Sequence, residues 1–116
     1  MSSPIQRIVI GGIWALALAV SLATAVAAAA PYVNPIRGRQ LFKTKGCVSC
    51  HKVYGVPGRG TAGPNLSHVG KELTAAEIAR QIKNPKAKNP HTRMPAATDL
   101  KPSELRALSV WLASLK

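Results

Sequence analysis

Two thiols and an imidazole fall within one short stretch, Cys47-Val48-Ser49-Cys50-His51, and these are the only two cysteines of the 116-residue chain. Residues three apart share a face of a helical turn. Cys47 and Cys50 can therefore offer both sulfurs to one edge of a flat ring, and His51 can reach a metal at that ring's centre. Cys-X-X-Cys-His is the attachment spacing of c-type haem, with two thioethers and one iron ligand. Other uses of paired cysteines fit less well. A thioredoxin-like redox pair lacks its βαβ context here, and a zinc site would need ligands beyond two thiols and one imidazole.

The elements that must position such a group follow from composition and punctuation. The length suits one domain, and the apolar residues are unevenly spread. Ile8 to Ala30 is uncharged and alanine-rich, whereas Pro31 to Lys116 is polar and basic. Beyond Ala30 the only aromatics are Tyr32, Phe42, Tyr54 and Trp111. A domain this short buries a marginal core and usually needs a staple. A covalent porphyrin would serve as one, and would replace the missing rings as a plate for side chains to pack on.

All but Arg7 of the 16 Lys and Arg lie in the second part, against four acids, and the whole chain carries +12. The basic residues are dispersed and form no nucleic-acid-binding motif. They suit an acidic protein partner or an anionic membrane surface better than nucleic acid.

Residues 1–30 read as an export segment. Arg7 precedes the apolar run, which ends in Ala27-Ala28-Ala29-Ala30-Pro31, and cleavage after Ala29 fits an Ala-X-Ala pattern. An uncleaved anchor is the alternative, because as a helix Ile8 to Ala30 would span about 34 Å, enough for a hydrocarbon core of roughly 30 Å. Both readings place residues 31–116 outside the cytoplasm. Arg37, Arg39, Lys43 and Lys45 outnumber Arg7 near the segment, against the positive-inside bias, but long domains translocate largely regardless of charge.

Three helices are expected in the domain. Asn34-Pro35 is a cap followed by a first-turn proline, and Gly46 is a suitable stop, so the first runs from Pro35 to about Lys45, with Ile36, Leu41 and Phe42 as its apolar positions. Thr74 and Glu77 have capping-box spacing and Leu73 with Ile78 staple spacing. That second helix turns Ile78 and Ile82 inward and ends before Pro85. The third begins at Pro102, with Leu105, Leu108, Trp111, Leu112 and Leu115 as one apolar stripe. Between them lie a Gly/Pro-rich loop from Gly55 to Pro64 and an irregular stretch holding Arg93-Met94-Pro95.

From about Asn34 to Leu115 this order of motifs resembles the class I cytochromes c, the single-haem electron carriers. The resemblance implies an all-α cytochrome c fold, three main helices and loops wrapped around one covalently bound haem c, here preceded by an N-terminal hydrophobic helix. It implies that Gly38 and Phe42 meet the last helix at Trp111. It assigns Cys47 and Cys50 to the thioethers, and His51 and Met94 to the iron. In Gly63-Pro64-Asn65-Leu66, the Pro64 carbonyl would hold the imidazole's other nitrogen and Leu66 would pack on the porphyrin. Arg59, or alternatively Arg93, would serve the haem propionates. His68 and His91 are the rival sixth ligands.

The function so implied is single-electron transfer in a respiratory or photosynthetic chain, with acidic-faced redox proteins as partners, in the periplasm or on the outer face of the cytoplasmic membrane. Two alternatives stay open. One is a membrane-anchored haem subunit of a quinol-oxidising, terminal-oxidase or sulfur-oxidising complex. The other is a haem enzyme with an open sixth site.

Overall fold

The computed structural model describes residues 32–116. The export or anchor segment and its expected hydrophobic helix lie outside the described residues. Three α-helices follow in order, α1 Pro35–Thr44, α2 Ala75–Lys83 and α3 Pro102–Ala113, with short 3₁₀ turns at Cys47–Ser49, Val69–Lys71 and Pro85–Ala87. Among the described residues there is no strand, and no helix is long and apolar enough to cross a membrane.

Each helix starts and stops where its local chemistry says. Asn34 Oδ1 accepts from the Ile36 N–H at 2.9 Å, and the chain leaves α1 through Gly46, whose φ of 77° is left-handed and easy only for glycine. At α2 the Thr74 hydroxyl accepts from the Glu77 N–H, and a Glu77 carboxylate oxygen accepts from the Thr74 N–H at 2.8 Å. This reciprocal pairing satisfies two donors that have no partner inside the helix. Pro102 opens α3, and Glu104 accepts from the Lys101 N–H at 3.1 Å.

The core is the meeting of these helices. Leu41 and Phe42 from α1, Ile78 and Ile82 from α2, and Ala107, Leu108, Trp111 and Leu112 from α3 are buried together with Val53. One expected core position fails. Ile36 is 64% exposed, because at about 100° per residue it lies some 140° around α1 from Leu41. The stripe on α3 also narrows at its ends, where Leu105 and Leu115 are only half-buried.

The crossing of α1 on α3 depends on one small residue. A Cβ at Gly38 would overlap Trp111 Cβ and lie 2.5 Å from the Ala107 carbonyl oxygen. With no side chain there, the helices approach closely enough for Phe42 and Trp111 to stack at a 5.4 Å centroid distance and a 55° tilt. That tilted geometry suits the ring quadrupoles. The packed pair fixes the end of α1, and with it the start of the thiol motif.

Candidate functional site

The motif begins directly after the left-handed Gly46. Cys47–Ser49 forms a 3₁₀ turn, the Ser49 hydroxyl donates to the Gly46 carbonyl, and the His51 N–H returns to the Cys47 carbonyl at 2.9 Å. Both thiols are free, with Cys47 half-buried and Cys50 exposed. Burial pushes the Cys47 thiol above its ordinary value, so in the unmodified polypeptide it stays protonated at neutral pH.

The Gly/Pro-rich loop lies flat against this turn. Gly60 N–H donates to Val48 O at 3.1 Å, Gly63 N–H to Cys50 O at 2.8 Å and Leu66 N–H to Lys52 O at 2.8 Å. Side chains would break this contact. A Cβ at Gly58 would sit 2.8 Å from Val48 Cβ, one at Gly60 would sit 2.6 Å from the nitrogens of both Cys50 and His51, and one at Gly63 would sit 2.5 Å from His51 Cε1. These glycines form a tight backing for the motif, a role that a reading of the loop as merely turn-rich misses. Their clustering just after the motif was the available signal.

The backing fixes the imidazole. His51 Nδ1 lies 2.9 Å from the Pro64 carbonyl oxygen. A carbonyl can only accept, so the proton belongs on Nδ1 and Nε2 keeps its lone pair. Such a bond orients a metal-binding imidazole and raises its basicity. Leu66 is half-buried beside this face, on the margin of the core.

Met94 is half-buried and packs against the core cluster. Its N–H donates to the Thr92 hydroxyl at 3.2 Å, and three residues later Ala97 N–H donates to Ile82 O on α2 at 3.0 Å. Arg59 and Arg93 both stand exposed. His68 is turned towards the C-terminal end, its Nδ1 2.8 Å from the Lys116 carbonyl, while His91 is exposed.

The donor set fits a haem. Two thiols three residues apart, an imidazole with a free Nε2 and a glycine-lined backing suit a planar ring bound at its edge and at its metal. Among the described residues no group of three His, Cys, Asp or Glu side chains could hold a bare ion. When bound, the haem supplies the one-electron chemistry of its iron, and Cys47, Cys50 and His51 would hold it.

Comparison with known proteins agrees. Residues 36–116 match the family model described as cytochrome c. The chain is 33% identical over 89 residues to cytochrome c oxidase subunit 2 of Alkalihalophilus pseudofirmus. That alignment covers 69% of this chain and spans about a quarter (25%) of the relative's length. Among solved structures, SoxXA from P. pantotrophus is similar with a TM-score of 0.63 at 23% identity, over 72% of this chain and 82% of that one. The c-type cytochrome SorU from Sinorhizobium meliloti is similar with a TM-score of 0.56 at 23% identity, over 70% and 88%. At that identity these two likenesses speak to the fold.

A three-helix core, a Cys-X-X-Cys-His turn backed by glycines and a family match across nearly all the described residues converge on one identity. The chain belongs to the cytochrome c family, and it carries one haem c bound through Cys47 and Cys50 and used for electron transfer.

Proposed function

We propose that this cytochrome is a one-electron carrier whose iron is held by His51 and Met94. The observation that carries the reading is the His51 Nδ1 contact to Pro64 at 2.9 Å, which leaves Nε2 as the metal-facing nitrogen. Met94, the only methionine beyond Met1, supplies the second ligand from a half-buried place on the core margin. His68, bonded to Lys116, and the exposed His91 are weaker claimants. A thioether ligand raises the potential of a His-ligated haem, and with both axial positions filled the iron has no vacancy for substrate. That favours carrying electrons over catalysis.

Cys47 and Cys50 form the thioethers, Leu66 packs on the ring, and the exposed Arg59 serves a propionate. The basic surface steers encounter with acidic faces of redox partners. The domain works outside the cytoplasm, in the periplasm or on the outer face of the membrane, delivered by residues 1–30. A second reading, a haem domain within a larger oxidoreductase, is favoured by the likeness to an oxidase subunit.

The test is the visible and near-infrared spectrum of protein matured in a host that makes c-type cytochromes. The expected result is a covalent haem spectrum with a methionine-to-iron charge-transfer band in the oxidised form. That band should vanish in Met94→Ala. An oxidised protein without it, whose reduced form binds carbon monoxide readily, would sink the reading in favour of an open-site haem enzyme.

A further inference from the structure

Lys45 caps the end of α1, two residues before Cys47. Its ammonium donates to the Asp99 carboxylate at 3.1 Å and to the Asp99 carbonyl at 3.3 Å, and it lies 3.9 Å from Glu104 Oε2. Asp99 belongs to the segment joining Met94 to α3, and Glu104 to the first turn of α3. The other Glu104 oxygen accepts from Arg37 of α1 at 3.1 Å. Two of only four acids in the chain thus converge on a single ammonium. The Lys45 side chain is 25% exposed and that of Glu104 is 16%, whereas the Asp99 side chain is 70% exposed, so Lys45 reaches from the edge of the core to a carboxylate at the surface. The contact with Lys45 holds the Asp99 carboxyl below the usual range.

The placement of the two ends matters more than their charge. The segment after Met94 is tied at Ala97 to Ile82 of α2, and at Asp99 to Lys45 of α1. The first tie is a single backbone bond. The second reaches across to the element that positions the thiols.

We propose that Lys45 is a positioning residue for the sixth iron ligand, fastening the Met94-bearing segment through Asp99 to the end of α1 beside Cys47. The inference rests on the assignment of Met94 to the iron. Without the Lys45 tie, the segment keeps its anchor on α2 and gains freedom to carry Met94 away from the site.

Imidazole binding to the oxidised holoprotein tests this, because imidazole reaches the iron only when Met94 has left. Its apparent affinity therefore scales with the open fraction. Asp99→Asn and Lys45→Met should each raise that affinity about three-fold, the scale of one partly exposed ion pair. The double variant should do little more than either single, as expected of partners in one contact. Glu72→Gln removes an exposed carboxylate outside this cluster and away from α2, and should leave the affinity unchanged.

Unchanged affinity in Asp99→Asn and Lys45→Met, with the methionine band intact in the parent protein, overturns the inference alone. An equal rise in Glu72→Gln overturns it too, since the effect would then follow from the loss of any acidic charge. A parent protein without the methionine band overturns the Met94 assignment, and the inference with it.

Discussion

Gly63→Ala isolates the backing of the haem histidine. Gly63 is outside the positive-φ glycines, so alanine meets no left-handed strain, and the main effect is one methyl group against a ring. That methyl would stand 2.5 Å from His51 Cε1 and 2.7 Å from Nδ1. Carbon contacts settle near 3.5 Å or beyond, so ring or loop must yield by about 1 Å. With Nε2 on the iron, as proposed, the ring would have little freedom. A shift of that size carries the Nδ1–Pro64 distance from 2.9 Å towards ~4 Å, outside hydrogen-bond range.

The lost bond should cost about 0.5–1.5 kcal/mol of stability. It should also make the imidazole less basic and the oxidised iron less stable. If ~0.5–1 kcal/mol of the bond distinguishes the two oxidation states, the potential rises by roughly 20–40 mV, since a tenfold change in a one-electron equilibrium is about 59 mV. Spectroelectrochemical titration measures the potential, and a urea melt of the same sample measures stability. Gly58→Ala is the matched control, because its methyl meets Val48 Cβ at 2.8 Å and leaves the histidine alone. It should lose stability without moving the potential. A Gly63→Ala protein that folds, binds haem and keeps the parent potential would refute the reasoning, as would equal shifts in both variants.

Gly38→Ala should destabilise the fold by up to about 2 kcal/mol in a denaturant melt. Overpacking at about 1–3 kcal/mol outweighs a helix-propensity gain of about 1 kcal/mol, because the clash falls on Trp111 Cβ and the Ala107 carbonyl, atoms no rotamer can move; a raised melting temperature would contradict the close crossing. Thr74→Ala should cost about 1 kcal/mol and leave the haem spectrum untouched, since α2 carries none of the proposed ligands. Glu77 and Asp99 are both held below their ordinary values, by bonds to Thr74 and to Lys45 respectively. Their stabilisation is therefore complete above the usual carboxylate range of about 3.9–4.3 and fades as pH falls through the lowered values. Melting temperatures taken between about pH 5 and 2 should show a shallower acid decline in Glu77→Gln and Asp99→Asn than in the parent, and parallel curves would argue against it. Stopped-flow electron exchange with an acidic redox protein should slow steeply with added salt; a flat dependence would remove steering by the basic surface.

Much of the molecule was legible from local patterns. Cys47, Cys50 and His51 announce their chemistry because attachment needs only two thiols and an imidazole on one turn. The helix limits at Asn34, Gly46, Thr74, Pro85 and Pro102 could be read because caps, prolines and left-handed glycines act on their immediate neighbours. The apposition of Gly38 and Phe42 to Trp111 came from the family resemblance, not from local pattern, and the helices do meet there.

What tertiary structure alone decided involves residues far apart in the chain or pairings that periodicity does not encode. Ile36 and Leu41 are apolar residues on different sides of α1, and the docking of α1 on α3 decided that the Leu41 side is buried and Ile36 is left in water. Gly58, Gly60 and Gly63 read as turn residues until the loop is seen bonded along Val48, Cys50 and Lys52. Nothing local to Lys45 foretells Asp99 or Glu104, since surface charges can choose many partners and the choice is made when α1 docks on α3. Short-range sterics and hydrogen bonding write helices and a haem turn into the sequence. The backing of His51 and the tie on the Met94 segment exist only because folding brings separate stretches within a few ångströms.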